Sequence, residues 1–181
     1  MKQTAHWLSA VALLALLPGC AWRPGPAGGS NIPGRSARSA AGPAAWNDST
    51  DICAQFDKTF VAAVLGPSIV EASRPQAGVA SCEYRTAPAA TTNNVRTVSI
   101  ILGHDKVSDL RSGIVGLGGS TATDQRIKMD HFIRRQADGT ISSIYLVLDP
   151  NRYIYVTRSQ VNFPSEEQMV LLASKVAEAL K

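Results

Sequence analysis

The chain has 181 residues with 18 basic and 14 acidic side chains, a formal net charge of +4, and three cysteines. The basic excess does not belong to the folded part. Lys2, Arg23, Arg35 and Arg38 precede residue 48 and every acidic residue lies at or beyond it, which leaves 14 basic against 14 acidic side chains from there on. A formally neutral domain excludes the nucleic-acid partner that the whole-chain charge invites.

The N-terminal segment sets the location. Lys2 supplies a positive start, and Trp7 to Leu17 is an apolar run of about eleven residues, long enough for a secretory signal and too short to span a bilayer. It ends in Leu16-Leu17-Pro18-Gly19-Cys20. This resembles the bacterial lipoprotein signal, in which a Leu three residues before the Cys and a small residue just before it are recognised. The resemblance implies a signal peptide over 1–19 and a diacylglycerol on Cys20, the first residue of the mature chain. Pro18 departs from the usual middle residue, and an ordinary signal peptide with a chance Cys is the alternative. Ala21 is not the Asp that holds such lipoproteins at an inner membrane, so the expected location is the cell envelope. In a two-membrane cell that means the periplasmic face of the outer membrane.

Residues 20–47 carry the lipidated Cys and a linker rich in Pro, Gly, Ala and Ser. The linker has no hydrophobic period and cannot bury enough apolar surface to offset its ordering entropy. Such a tether has an r.m.s. reach of roughly 30 Å. Its three arginines either meet anionic headgroups or are simply solvated.

With Cys20 used by lipid, Cys53 and Cys82 remain in an exported chain, where an even pair forms a disulfide. A metal site lacks ligands: there is no CxxC, and His104 and His131 show no ligand spacing. A catalytic thiol would need its neighbour to be absent.

The domain, 48–181, then reads in order. Asp48 to Asp51 offer N-caps for a helix over 51–65, with Ile52, Phe56, Phe60, Val61 and Val64 at helical spacing and Gly66-Pro67 as the stop. A loop follows to Gly78. Residues 80–85 alternate as a strand with Cys82 and Tyr84 on one face, and 95–102 form its hairpin partner with Val98, Ile100 and Leu102 facing one way. Asp105 is the candidate cap of a second helix carrying Val107, Leu110, Ile114 and Val115. Gly116 to Thr121 then form a C-cap and loop, not a phosphate cradle, since no P-loop Lys is present and the run follows a helix. Three strands come next, at 128–136, 141–148 and 153–158, separated by the Asp138-Gly139 and Asp149-Pro150-Asn151 turns. Ser165 and Gln168 make a capping box for a last helix that buries Met169, Leu172, Ala173, Val176 and Leu180. The order α-β-β-α-β-β-β-α predicts an α+β fold: an antiparallel sheet of about five strands with helices mainly on one face.

Groupings that carry chemistry are scarce. There is no G-x-S-x-G, no HExxH and no EF-hand loop. Asp130 and His131 are adjacent on a strand and point to opposite faces. His104 beside Asp105 reads as a cap or surface residue. Tyr145, Tyr153 and Tyr155 could line an exposed sheet face with Arg134 and bind something flat; cross-strand packing is the alternative. Arg134, Arg135 and Lys128 could make a small anion patch.

Asp51-Ile52-Cys53 opening a helix that ends in Val64-Leu65-Gly66, then Cys82-Glu83-Tyr84, then Val115-Gly116-Leu117-Gly118, then a meander and the Leu172/Val176/Leu180 helix, resembles the envelope lipoproteins of actinobacteria that carry a disulfide-stapled domain of unknown function. The resemblance covers 48–181 and implies location and fold, with no activity and no catalytic residue. The expectation is a non-catalytic binding domain with no metal and no cofactor, anchored to the membrane and meeting an envelope protein, an envelope polymer or a small ligand. The alternatives are an accessory or assembly subunit of an envelope complex, and a hydrolase that would need a histidine beside a nucleophile or metal.

Overall fold

The structure, a computed structural model, describes residues 46–75, 78–88, 95–160 and 162–181. The expected signal segment, Cys20 and the expected linker as far as residue 45 lie outside the described residues.

The elements are α1 (Ile52–Gln55), α2 (Lys58–Leu65), β1 (Ile69–Ser73), β2 (Ser81–Thr86), β3 (Thr97–Gly103), α3 (Val107–Gly116), β4 (Ser120–Ala122), β5 (His131–Arg135), β6 (Ile141–Asp149), β7 (Arg152–Arg158) and α4 (Glu166–Ala179). The strands form one sheet in the order β1-β2-β3-β7-β6-β5-β4, and each neighbouring pair is antiparallel. The α+β class stands, with seven strands rather than about five. The two additional strands are the two edges. β1 lies in the stretch read as a loop, and its alternation is broken by a bulge between Ile69 and Glu71. β4 is three small residues at the end of the glycine-rich run. An edge strand pairs on one side only, so a weak pattern suffices to hold it.

The helix expected over 51–65 is two helices. Asp51 caps α1 by accepting from the Ala54 N–H. Asp57, an interior residue of the expected helix, caps α2 by accepting from the Phe60 N–H at 2.8 Å. An Asp side chain competes for backbone N–H groups and so favours the cap over the interior. The buried Tyr84 hydroxyl donates to the Phe56 carbonyl and pins the break. β5 begins at His131, later than expected, because residues 123–130 turn. Asp105 does not cap α3 either. The N-cap position is Lys106, without a side-chain cap bond, and the Asp105 carboxylate accepts from the Tyr153 hydroxyl at 2.9 Å. The α4 capping box of Ser165 and Gln168 is present as read.

Alternation along the strands separates two layers. On one face α1, α2 and α4 bury Ile52, Phe56, Val61, Met169, Leu172 and Val176 against Tyr84, Ile100, Ile144, Leu146 and Ile154. Among the described residues α3 packs on the other face, setting Val107, Leu110 and Ile114 on Phe132, Tyr145 and Tyr153. The Cys53–Cys82 disulfide, with S–S 2.08 Å, ties α1 to β2. Trp46 is 3% exposed and belongs to the core, although the sequence boundary leaves it in the linker.

Candidate ligand groove beside the third helix

The α3 face is built on a cross-strand aromatic row. Phe132 pairs with Tyr145, and Tyr145 with Tyr155. The rings stack with centroids 4.6 Å and 5.3 Å apart. Both faces of Tyr145 are therefore occupied, by Phe132 and by Tyr155. Tyr153 meets Tyr145 edge-on at 5.4 Å. Its ring lies over Gly103, where a Cβ would come within 2.3 Å of the ring. Only glycine leaves that ring its place.

All four predicted residues thus share one face, but α3 closes over part of it. Tyr145 and Tyr153 are buried at 5% and 4% exposure. Tyr155 is half-buried, and Arg134 stands further along, between Ser143 and Thr121 in the register. Tyr145 and Tyr155 stack, and Tyr153 meets Tyr145 edge-on, which is the packing alternative of the sequence, and no flat platform is left at Tyr145. Burial raises the pKa of the Tyr153 hydroxyl, reinforced by the Asp105 carboxylate that accepts from it. Burial likewise raises that of Tyr155.

Open space lies along the flank of α3 instead. A cavity of about 700 Å³ opens at its first turn, with Val107, Val147, Leu148 and Pro150 as apolar walls and Lys106 and Arg111 at its border. A second, of about 520 Å³, lies at its last turn between Ser112, Val115, Gly116 and Thr121. A third, of about 210 Å³, lies between Thr121, His131 and Phe132. Arg111 borders all three. Its guanidinium carbon sits 4.7 Å over the Phe132 ring, a cation–π geometry, and Nη2 donates to Asp130 Oδ1 at 3.2 Å. The sequence carried no signal for Arg111: an Arg between Leu110 and Ser112 reads as a solvated helix face.

The cavity at the first turn is framed rigidly. The Val107 N–H donates to the Pro150 carbonyl at 2.9 Å, locking α3 to the β6–β7 turn. Asp149 in that turn accepts from the Asn151 N–H at 2.8 Å and from Arg152 Nε at 2.6 Å. The backbone N–H of Asn151, then Arg152, hold its carboxyl below the usual range. The other guanidinium arm of Arg152 donates to the Trp46 carbonyl at 2.6 Å. Trp46, the first described residue, is therefore at the same end as the larger cavity.

Neither histidine has a reactive neighbour within these contacts. His104 Nε2 pairs with Asp48 Oδ1 at 2.7 Å at the surface. His131 Nε2 accepts from the Asp124 N–H at 2.9 Å. Its Nδ1 lies 2.8 Å from the Met129 carbonyl, so the ring proton sits on Nδ1 and both nitrogens hold the turn before β5. His131 pairs with Leu146 on the core face, away from Asp130, which goes to Arg111. Among the described residues no group of His, Cys, Asp and Glu is placed to hold a metal ion, and no helix is long and apolar enough to cross a membrane. The α3 groove can hold an apolar body and contact charge of either sign through Arg111, Lys106 and Asp130. Compared with known proteins, the chain matches no family model, no curated protein and no solved structure.

Proposed function

We propose that the protein is a cell-envelope lipoprotein, anchored through acyl chains on Cys20, whose α+β domain binds a ligand or partner non-covalently along α3. The observation that carries the binding reading is the groove: a cavity of about 700 Å³ with apolar walls, held open by the Val107–Pro150 hydrogen bond and bordered by Lys106 and Arg111. Ligand sites are concave and mostly apolar, with a few placed polar groups, and this cavity has that make-up. The anchor rests on the Leu17-Pro18-Gly19-Cys20 signal, and the pairing of Cys53 with Cys82 suits an exported, oxidising location. The motifs on which the resemblance to actinobacterial envelope lipoproteins rests lie in or beside helices: Cys53 in α1, Leu65-Gly66 at the end of α2, and Gly116 to Gly118 at the end of α3.

A second reading, an accessory subunit docked on a larger envelope complex, is favoured by one observation. Val115 and Leu117, at the far end of α3, are 60% and 82% exposed.

Two measurements test the proposal. Intact-mass analysis of the mature protein should give Cys20 as the N-terminus with acyl chains; a start elsewhere contradicts the anchor. Native mass spectrometry of the acylated protein, extracted in mild detergent, should show a bound mass that Ser108→Trp removes by filling the cavity. A bare protein mass, or a bound mass indifferent to Ser108→Trp, contradicts binding in the groove.

A further inference from the structure

The two sheet edges are guarded differently. An exposed edge offers unpaired N–H and C=O groups to any extended chain, and proteins blunt such edges with charge, bulges, proline or cover. β1 carries such devices: the bulge between Ile69 and Glu71, the exposed Glu71 carboxylate, and Lys58, whose Nζ donates to the Val70 carbonyl at 3.4 Å. β4 carries none of these three, and its guard is its three-residue length. Ser120, Thr121 and Ala122 are uncharged, pair with β5 without a register shift, and have no further strand on their outer side among the described residues.

The same edge borders the two smaller cavities along the flank of α3, which join the 700 Å³ cavity at Arg111. Thr121 lines both the 520 Å³ cavity beside Ser112 and Val115 and the 210 Å³ cavity beside Arg111 and Phe132. Side chains of a strand point alternately to its two faces. A chain added to β4 would therefore aim every second side chain at the α3 face, one toward exposed Val115 and one toward Arg111. Charge there favours an acidic residue. Arg111 and Arg134 stand on this face, and Arg134, opposite Thr121, has no ion pair among the described residues. Among the described residues the carboxylate paired with Arg111 is Asp130, which is 68% exposed.

We infer that the outer edge of β4 and the flank of α3 together receive an extended segment of a partner protein by strand addition, the segment alternating an apolar and an acidic side chain toward the groove. Main-chain hydrogen bonds to the edge supply affinity and the two cavities supply selectivity. The inference rests on the groove being the binding seat, and it assigns the class of occupant.

The test uses the acylated full chain in detergent micelles, panned against random peptides displayed on phage. Enriched peptides should carry the apolar–acidic alternation. On binding, hydrogen exchange should slow at Ser120 to Ala122. Val115→Asp and Arg134→Glu, both at positions away from the buried core, should each weaken binding about tenfold or more with Tm unchanged. No enrichment overturns the inference, as do enriched peptides that leave β4 exchange unchanged and ignore both variants. Peptides that protect Val107 and Val147 instead of β4 overturn strand addition while leaving the groove as the seat. A dimer that Val115→Asp dissolves overturns it by giving the edge to a second copy of the chain.

Discussion

The indole of Trp46 stacks on the ring of Phe56, with centroids 5.8 Å apart and planes 14° from parallel. The Trp46 carbonyl meanwhile accepts from Arg152. The first described residue is thus a core residue clamped to the end of the sheet, and the linker stops short of it. Trp46→Ala should destabilise the domain by about 3–5 kcal/mol, the range for deleting a buried large aromatic. Guanidinium unfolding of the oxidised protein measures it. A change below about 1 kcal/mol would show that the packing is not retained in solution.

Cys53 and Cys82, separated by 29 residues, close a loop from α1 to β2. In the chain-entropy model such a loop contributes about 3–4 kcal/mol. The double variant Cys53→Ala, Cys82→Ala should lower the guanidinium midpoint by a corresponding amount. Non-reducing peptide mapping of the native protein should recover the two cysteines in one linked fragment. Free thiols at both positions would refute the staple.

Asp124 gives the acid limb of stability a named origin. Its carboxylate takes two hydrogen bonds from the Arg126 side chain, at 2.8 and 2.9 Å. These bonds, with the Arg126 backbone N–H, hold its pKa down to about 2 from the ordinary 3.8. A carboxyl depressed in the folded state stabilises it above the unfolded value, and that contribution is lost as pH falls from 3.8 toward 2. Asp124→Asn should therefore flatten stability against pH across that window. The alkaline limb has the opposite origin. Burial raises Tyr84 and Tyr153 above their ordinary 10.0, so their contribution is lost as pH climbs past 10.0. Denaturant midpoints measured across pH check both limbs, and an unchanged acid slope in the Asn variant counts against the Asp124–Arg126 pair.

What the sequence made legible was strong local pattern. The α4 capping box, the β6–β7 hairpin and the Cys53–Cys82 pair are each carried by residues within a few positions of one another or by simple cysteine arithmetic. Features decided by distant partners were not legible. Asp57 breaks a helix whose apolar spacing runs straight through it, because the Tyr84 hydroxyl from β2 holds the break. β1 and β4 are held by their neighbours and carry little pattern of their own. The tyrosines were placed on the right face, but α3, whose own pattern shows only an apolar stripe, crosses over two of them. Arg111 matters only because Phe132 and Asp130 come from a strand and a turn beyond the α3–β4 crossover.

A photoreactive amino acid placed at single positions of the full-length protein in its own cells tests binding along α3 most directly. Ser108 and Ser112 lie on the exposed flank of α3, and Lys175, exposed on the outer face of α4 in the opposite layer, is the control. The predicted result is an ultraviolet-dependent adduct from Ser108 and Ser112 and none from Lys175. Adducts absent at both α3 positions, or equally frequent at Lys175, would contradict the groove as the seat of function.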